Sequence, residues 1–182
     1  MLTYGLKFLV IFVAILLIFA CSQEPWPEPS CRVNANYISN HQGAGACVVR
    51  LNNRLLAMKL DNSLYDLPSS NSISPISAQC SAHNTMWQQT GLNVEVENVI
   101  GLQADGTWLF GCHLDAGFDG SEAPFKPSHT SRAEVEHIEF VEPFTLDMYD
   151  WDKPDQFIVI RDAFVAQGQH QNQLKKQNNQ AN

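Results

Sequence analysis

One segment near the middle of the chain, residues 67–92, constrains the fold more than any other. It begins with a polar stretch, LPSSNSISP, and continues into a sequence that predicts a helix. Ser74 suits the N-cap with Pro75 at the first helical position, and Gly91 is a natural C-cap. One face of this helix carries an i, i+4 line of apolar residues, made of Ala78, Ala82 and Met86. The segment therefore predicts a helix that packs on another layer and is entered through a polar loop.

Strand patterns flank this helix on both sides. Apolar and β-branched runs bounded by turn signals predict five strands, over residues 43–51, 54–60, 94–102, 107–114 and 134–144. A closing helix is predicted from Asp152 as its cap and Pro154 as its first residue to Gly168 as its end. A chain of 182 residues is long enough for one domain with a substantial core. The order of strands, helix, strands and helix indicates an α/β fold.

Residues 67–92 resemble the Nudix box, G-x5-E-x7-R-E-U-x-E-E-x-G-U, in which U is aliphatic. The positions that match the family pattern are Leu67, Pro68, Met86, Thr90, Gly91 and Leu92. The resemblance implies a Nudix-like α/β/α sandwich with a mixed central sheet over residues 36–168. It also implies the activity of the family, which is hydrolysis of nucleoside-diphosphate-type phosphoanhydride substrates with Mg2+ or Mn2+ as cofactor.

The residues that would carry this chemistry are replaced. In place of the first glycine, the first glutamate, the arginine and the three helix glutamates, the chain has Ser70, Ile76, Asn84, Thr85, Gln88 and Gln89. Residues i, i+3 and i+4 share one helical face, so neutral side chains stand where a divalent metal would need charged oxygen ligands. Glutamine also takes up no proton near neutral pH and cannot act as a general base. The sequence therefore predicts a degenerate site with no metal and no cofactor, and Mg2+ or Mn2+ only if the domain is active.

Two carboxylates outside the box are the remaining catalytic candidates. The resemblance implies a further carboxylate from the strand at residues 134–144, where Glu134 and Glu136 stand and Glu139 follows. Alternation along a strand would place the first two on the same side as Ile138 and Phe140. The alternative is that Glu134 and Glu136 belong to a solvated strand start.

The first twenty residues predict export. The apolar run at residues 8–20 fits the core of a signal peptide and is shorter than the roughly 20 residues of a membrane-spanning helix. It ends in Ile18-Phe19-Ala20-Cys21, which resembles the lipobox of bacterial lipoproteins. The resemblance implies removal of residues 1–20, lipidation of Cys21 and, because Ser22 follows, attachment to the periplasmic face of the outer membrane. An uncleaved N-terminal anchor is the alternative.

The two ends of the mature chain predict little packed structure. Residues 21–35 are rich in proline and predict an extended stalk, whereas residues 169–182 are rich in Gln and Asn and predict a disordered tail. Loss of Lys7 with the signal changes the formal charge from −8 to −9. That charge disfavours nucleic acid as a partner, and a phosphate ligand would need a cation beside it.

Apart from Cys21, the chain has four cysteines, Cys31, Cys47, Cys80 and Cys112. An even number in an oxidising compartment predicts two disulfides with three possible pairings, of which Cys31–Cys47 with Cys80–Cys112 is preferred here. Free buried thiols are the alternative. No Cys/His spacing typical of a zinc site is present.

Two classes of function fit these patterns. In the first, the chain is a membrane-tethered, Nudix-like binding or regulatory module whose ligand is a small phosphate-bearing molecule. In the second, it is a divergent Nudix hydrolase that recruits Glu134, Glu136 or Glu139 to hold a metal. The missing helix carboxylates favour the first class, since positioned acid–base groups contribute about 10²–10⁴-fold to a rate.

Overall fold

A tight hairpin of β1 (Gly45–Leu51) and β2 (Arg54–Leu60) opens the domain. Asn52 and Asn53 both have positive φ, 48° and 62°, as in type I′ turns, and asparagine tolerates this region better than most residues. The computed structural model describes residues 27–70, 76–114, 120, 123–126 and 134–180. Within it, Leu51 pairs with Arg54 across the turn, so the predicted hairpin is confirmed.

The remaining elements build a mixed sheet between two long helices. They are β3 (Tyr65–Asp66), α1 (Ala78–Thr90), β4 (Val94–Leu102), β5 (Trp108–Leu114), β6 (Val135–Val141) and α2 (Phe157–Gln180). Short 3-10 helices cover Ala35–Tyr37, Met148–Asp150 and Pro154–Gln156. The sheet order is β3-β2-β1-β5-β4, and β6 also pairs with β2. Because β1 and β5 run parallel and the other pairs antiparallel, the sheet is mixed, as predicted.

Each face of the sheet has its own apolar core. Side chains alternate along a strand, so β1 and β2 contribute to both cores. The core against α1 contains Cys47, Val49, Leu56, Met58, Phe110, Ala82 and Met86. The core against α2 contains Ala46, Val48, Leu55, Ala57, Leu109, Ile160 and Phe164. The α/β/α sandwich expected from the sequence is therefore the observed fold.

The helix α1 begins later than predicted. Its N-cap is Ser77, whose side chain accepts a hydrogen bond from the Cys80 N–H, whereas Ser74 and Pro75 lie outside the described residues. Its end agrees with the prediction, since Gly91 adopts φ 77° and its N–H donates to the Trp87 carbonyl. The first residue of the helix also contacts a distant segment, since the Ala78 N–H donates to the His41 carbonyl at 2.9 Å.

The helix α2 corrects two predictions at once. It does not end at Gly168, and residues 169–180 are helical rather than a disordered tail. Gly168 lies inside the helix because the Arg50 guanidinium occupies the space that a side chain would need. Beyond it, Gln171 donates to the Arg50 carbonyl at 3.1 Å, which holds the helix against the sheet. Gly168 was predicted to end the helix, but in the fold it allows the Arg50 side chain to pass close to the helix backbone.

Two disulfides form, but the preferred pairing is wrong. The bridges are Cys31–Cys80 and Cys47–Cys112, with Cα separations of 5.3 and 5.5 Å. Cys47 and Cys112 lie on the adjacent parallel strands β1 and β5, where Val49 is directly opposite Cys112. This neighbourhood arises from a crossover connection, which sequence spacing does not reveal.

The segment before the domain is also packed rather than a free stalk. The Asn34 N–H donates to the Val96 carbonyl at 2.9 Å, and the Val96 N–H donates to the Arg32 carbonyl at 3.0 Å. Together with the Cys31–Cys80 bridge, these bonds fix residues 31–34 along the edge of β4 and over α1. The described part of the predicted stalk therefore belongs largely to the domain.

Candidate functional site

The side chains that replace the three helix glutamates lie at different depths on α1. Thr85 and Gln89 are buried, with 6% and 8% of their surface exposed, whereas Gln88 is exposed. The buried pair faces inward and Gln88 faces outward. The helix therefore does not present these side chains together as one open polar surface.

Gln89 is held by the loop that precedes α1. Its Oε1 accepts a hydrogen bond from the Ser69 N–H at 3.2 Å, and its Nε2 donates to the Ser69 carbonyl at 3.2 Å. The loop is in turn fixed to β1, because Ser70 N–H donates to the Gly45 carbonyl and the Ser70 hydroxyl accepts from the Gly45 N–H. One amide side chain thus satisfies both backbone groups of a buried residue, which removes the desolvation cost of leaving them unpaired.

Gln88 contacts the N-terminal segment. Its Nε2 donates to the Glu28 carboxylate at 3.2 Å. Glu28 stands three residues before Cys31, which is bonded to Cys80 near the start of α1. Residues 28–31 therefore extend along α1 towards its C-terminal end and place a carboxylate beside an outward-facing glutamine.

The other replaced positions also have structural partners. The Asn84 Oδ1 lies 3.2 Å from Nδ1 of His83, and the Nε2 of this fully buried histidine lies 3.0 Å from the Asn93 Oδ1. Ile76 precedes the N-cap and is 37% exposed. The contact between His83 and Asn93 ties α1 to the segment that follows it. The replaced positions Ile76 and Asn84 both carry neutral side chains.

A divalent metal does not fit these residues. Mg2+ prefers charged oxygen ligands in near-octahedral geometry, and Thr85, Gln88 and Gln89 offer only neutral atoms. The carbonyl oxygen of Gln89 is already an acceptor for the Ser69 N–H. To bind a metal there, the chain would have to give up the two bonds that hold the loop. Gln89 therefore holds the loop through direct hydrogen bonds to Ser69.

The remaining carboxylate candidates lie at the start of β6, where the predicted alternation fails. Leu60 pairs with Val135 but Lys59 pairs with His137, so a bulge leaves Glu136 as an extra residue. Val135, rather than Glu136, is therefore buried on the same side as Ile138 and Phe140. Glu134 and Glu136 are both exposed. The prediction that they share a side with Ile138 and Phe140 is wrong.

Glu139 belongs to a polar cluster on the α2 side of the sheet. The Tyr65 hydroxyl donates to its carboxylate at 2.9 Å, and the His137 Nε2 lies 3.4 Å from the same oxygen. The Lys59 ammonium lies 3.9 Å from the centre of the Tyr65 ring. Burial, followed by the hydrogen bond and charge of Glu139, raises the pKa of Tyr65 to about 12. Since Tyr65 packs against the α2-side core, Glu139 is on the opposite face of the sheet from α1.

Sequence reasoning identified α1 as the helix of interest but missed its polar neighbour Glu28 and the cluster of Tyr65 and Glu139 on the other face of the sheet. Glu28 was assigned to a free stalk, and only its proximity to Cys31 hinted at a fixed position. The contact between Tyr65 and Glu139 depends on the register of β6 against β2, which becomes visible only in the fold.

Solved structures share this fold. A Nudix hydrolase from Nitrosomonas europaea is 9% identical, with a TM-score of 0.51 over 70% of this chain and 90% of that chain. A UDP-X diphosphatase is 12% identical, with a TM-score of 0.52 over 74% of this chain and 66% of that chain. No protein-family model and no curated protein sequence matches the chain. At these identities the likeness establishes a Nudix-like fold and leaves the activity to be argued from the residues.

Proposed function

We propose that this chain is a membrane-tethered binding or regulatory module that keeps the Nudix-like fold without a working metal site. The observation that carries the proposal is the double hydrogen bond between the Gln89 amide and the Ser69 backbone. A glutamate could accept from the Ser69 N–H but could not donate to its carbonyl. Glutamine at this position therefore stabilises the metal-free loop.

The proposed location is the periplasmic face of the outer membrane, with Cys21 lipidated and the domain outside the cytoplasm. The two disulfides indicate a non-reducing environment. Among the described residues, no helix is both long and apolar enough to cross a membrane. If Cys21 is the anchor, the seven residue steps from Cys21 to Glu28 span at most about 25 Å, which keeps the domain near the membrane surface.

The test is calorimetric titration of the purified protein with Mg2+ and Mn2+, with and without a panel of nucleoside diphosphate derivatives, alongside an assay for phosphoanhydride hydrolysis. We expect metal binding to be negligible at α1 and hydrolysis to stay near background, since no charged ligand set is present there. Binding of a nucleoside diphosphate derivative without turnover would support the module. Turnover at about 1 per second or more with Mg2+, lost with EDTA, would overturn it.

The same assay addresses the alternative of a divergent hydrolase. That function would require Glu134 or Glu136 as metal ligand, because Glu139 is engaged with Tyr65 on the other face. Glu134→Ala or Glu136→Ala would then abolish the measured rate. Under the proposed function, neither substitution changes the background.

A gain-of-binding variant completes the test. Thr85→Glu, Gln88→Glu and Gln89→Glu together restore three carboxylates at i, i+3 and i+4 of α1. Gln89→Glu also removes the bond to the Ser69 carbonyl that holds the loop over α1, so we expect the new carboxylates to become accessible together and to bind Mg2+ measurably, which the natural protein does not. Turnover is not part of this expectation, because Ile76 and Asn84 also differ from the family pattern. Failure of the triple variant to bind metal, in a folded protein, would contradict the assignment of these positions.

A further inference from the structure

A second candidate site lies at the opposite end of β1 from the Ser69–Ser70 loop. A cavity of about 550 Å3 opens between the last residues of β1 and β5, the start of β4 and the final turns of α2. The Ser69–Ser70 loop contacts Gly45 at the start of β1, whereas the cavity reaches Leu51 at its end. These two residues are six steps apart along the strand, which corresponds to about 20 Å. The cavity is therefore distinct from the site proposed above.

The roof of the cavity is the part of α2 that the sequence predicted to be a disordered tail. Four residues at i, i+3, i+4 and i+7 line it, namely Gln171, Leu174, Lys175 and Asn178. Two amides hold the helix in this position. Gln171 donates to the Arg50 carbonyl at 3.1 Å, and the fully buried Gln167 donates to the Glu97 carboxylate at 3.3 Å. The space under the helix is thus maintained by specific bonds.

Opposite charges face each other across this space. Both acids of the cavity, Glu95 and Glu97, lie on the strand floor, and Lys175 lies on the helical roof. The floor also carries His113 and Arg50, and the Arg50 guanidinium is engaged with Phe164. Glu97 is only 7% exposed, and its closest basic group is the His170 Nε2 at 3.8 Å. Neither the Glu95 carboxylate nor the Lys175 ammonium has a side-chain hydrogen bond or ion pair with any residue in the described parts of the chain. Among those residues, the cavity therefore presents one acidic and one basic side chain, on strand and helix, that lack a partner.

We propose that this cavity binds a small zwitterion, an α-amino acid or short peptide with an aliphatic side chain. Glu95 would receive the ammonium group and Lys175 the carboxylate, while Leu51 and Leu174 offer apolar surface for the side chain. A polyphosphate would meet the glutamates of the floor, and a polyamine would meet the lysine of the roof. The volume lies within the roughly 300–1,000 Å3 typical of small-molecule sites.

The test is calorimetric titration of the purified full chain with L-leucine and with the dipeptide Ala-Leu. Two analogues each lack one charge, 4-methylpentanoate without the ammonium and 3-methylbutylamine without the carboxylate. We expect saturable binding of at least one zwitterion. Each analogue should bind at least about tenfold more weakly, because a charge-assisted hydrogen bond contributes about that factor in affinity. No saturable binding of either zwitterion, or equal binding of 4-methylpentanoate, would overturn the proposal.

Variants locate the site. Glu95→Gln and Lys175→Gln should each weaken binding about tenfold, whereas Lys176→Gln, which changes an exposed neighbour outside the cavity, should leave it unchanged. Thermal unfolding of each variant establishes that it is folded. Unchanged binding in both cavity variants would refute the site. Because neither residue contacts the Ser69–Gln89 region, nucleoside diphosphate titrations should be the same in these variants, which separates this outcome from that of the proposed function.

Discussion

At the scale of single residues, Gln89 shows how one amide side chain can hold a loop through both of its polar atoms. Gln89→Glu keeps the shape but sets a carboxylate against the Ser69 carbonyl, where the natural Nε2 donates. We expect a loss of about 1–3 kcal/mol in the free energy of unfolding at neutral pH, because a buried acceptor loses its donor. Urea unfolding measures this loss.

The control for this prediction is Gln169→Glu, the same substitution at an exposed position of α2. It should change the free energy of unfolding by less than about 0.5 kcal/mol. Equal stability of Gln89→Glu and the natural protein in metal-free buffer would show that the Ser69 contact contributes nothing.

Tyr65 makes a second prediction at this scale, through pH. Folding raises its pKa from 10.0 to about 12, chiefly by burial and then through Glu139, so the folded state favours the neutral phenol. The resulting stability is fully present below pH 10 and is lost as the pH rises through about 12. Urea unfolding between pH 9 and 12 should therefore show a decline that is smaller in Tyr65→Phe. Tyr149→Phe, at a 75% exposed position, should decline like the natural protein.

At the scale of elements, the sequence predicted the features that depend on neighbouring residues, namely strand bounds, a hairpin turn and a helix end. The bounds of β2 and β4 agree with the sequence pattern, and the Asn52-Asn53 turn agrees with the hairpin. Alternating apolar residues specify a strand and its faces without information from distant parts of the chain. The same reasoning identified α1 and its C-cap at Gly91.

What could not be predicted depends on contacts between distant residues. The bulge at Glu136 exists because β6 meets β2 in a particular register, and Gly168 continues a helix because Arg50 passes it. The candidate site likewise has features that the sequence predicts and features that depend on contacts between distant residues. The neutral residues on α1 can be read from the sequence, but the bonds from Gln89 to Ser69 and from Gln88 to Glu28 require the fold.

The Cys31–Cys80 bridge yields a prediction for the N-terminal segment. Removing a link that closes a loop of 49 residues should cost about 2–4 kcal/mol in the free energy of unfolding. Cys31→Ala with Cys80→Ala should also speed hydrogen exchange of the Asn34 and Val96 amides, which bond across this segment. Exchange at both amides as slow as in the natural protein would mean that main-chain bonds alone hold the segment to β4.

At the scale of the whole molecule, charge decides how the chain can associate with a membrane. The mature chain would carry a formal charge of −9, so attraction to anionic lipid headgroups cannot hold it there. The described residues include no helix that could span a bilayer. An acyl chain stabilises membrane binding by about 0.8 kcal/mol per buried CH2, and stable anchoring requires more than one chain. Under the proposed location, attachment would therefore rest on multiple acylation of Cys21.

The proposed lipid anchor at Cys21 gives the last prediction. Mass spectrometry of protein from the membrane fraction should find an N-terminus at Cys21 that carries acyl chains, with residues 1–20 absent. Cys21→Ser should abolish the acylation and move the protein out of the stably anchored state, because the acidic domain supplies no alternative attraction. Cys31→Ala, which removes a cysteine of the domain instead, should leave the acyl chains in place. An intact Met1, or an unmodified Cys21 in membrane-bound protein, would exclude the lipoprotein and favour the uncleaved N-terminal anchor.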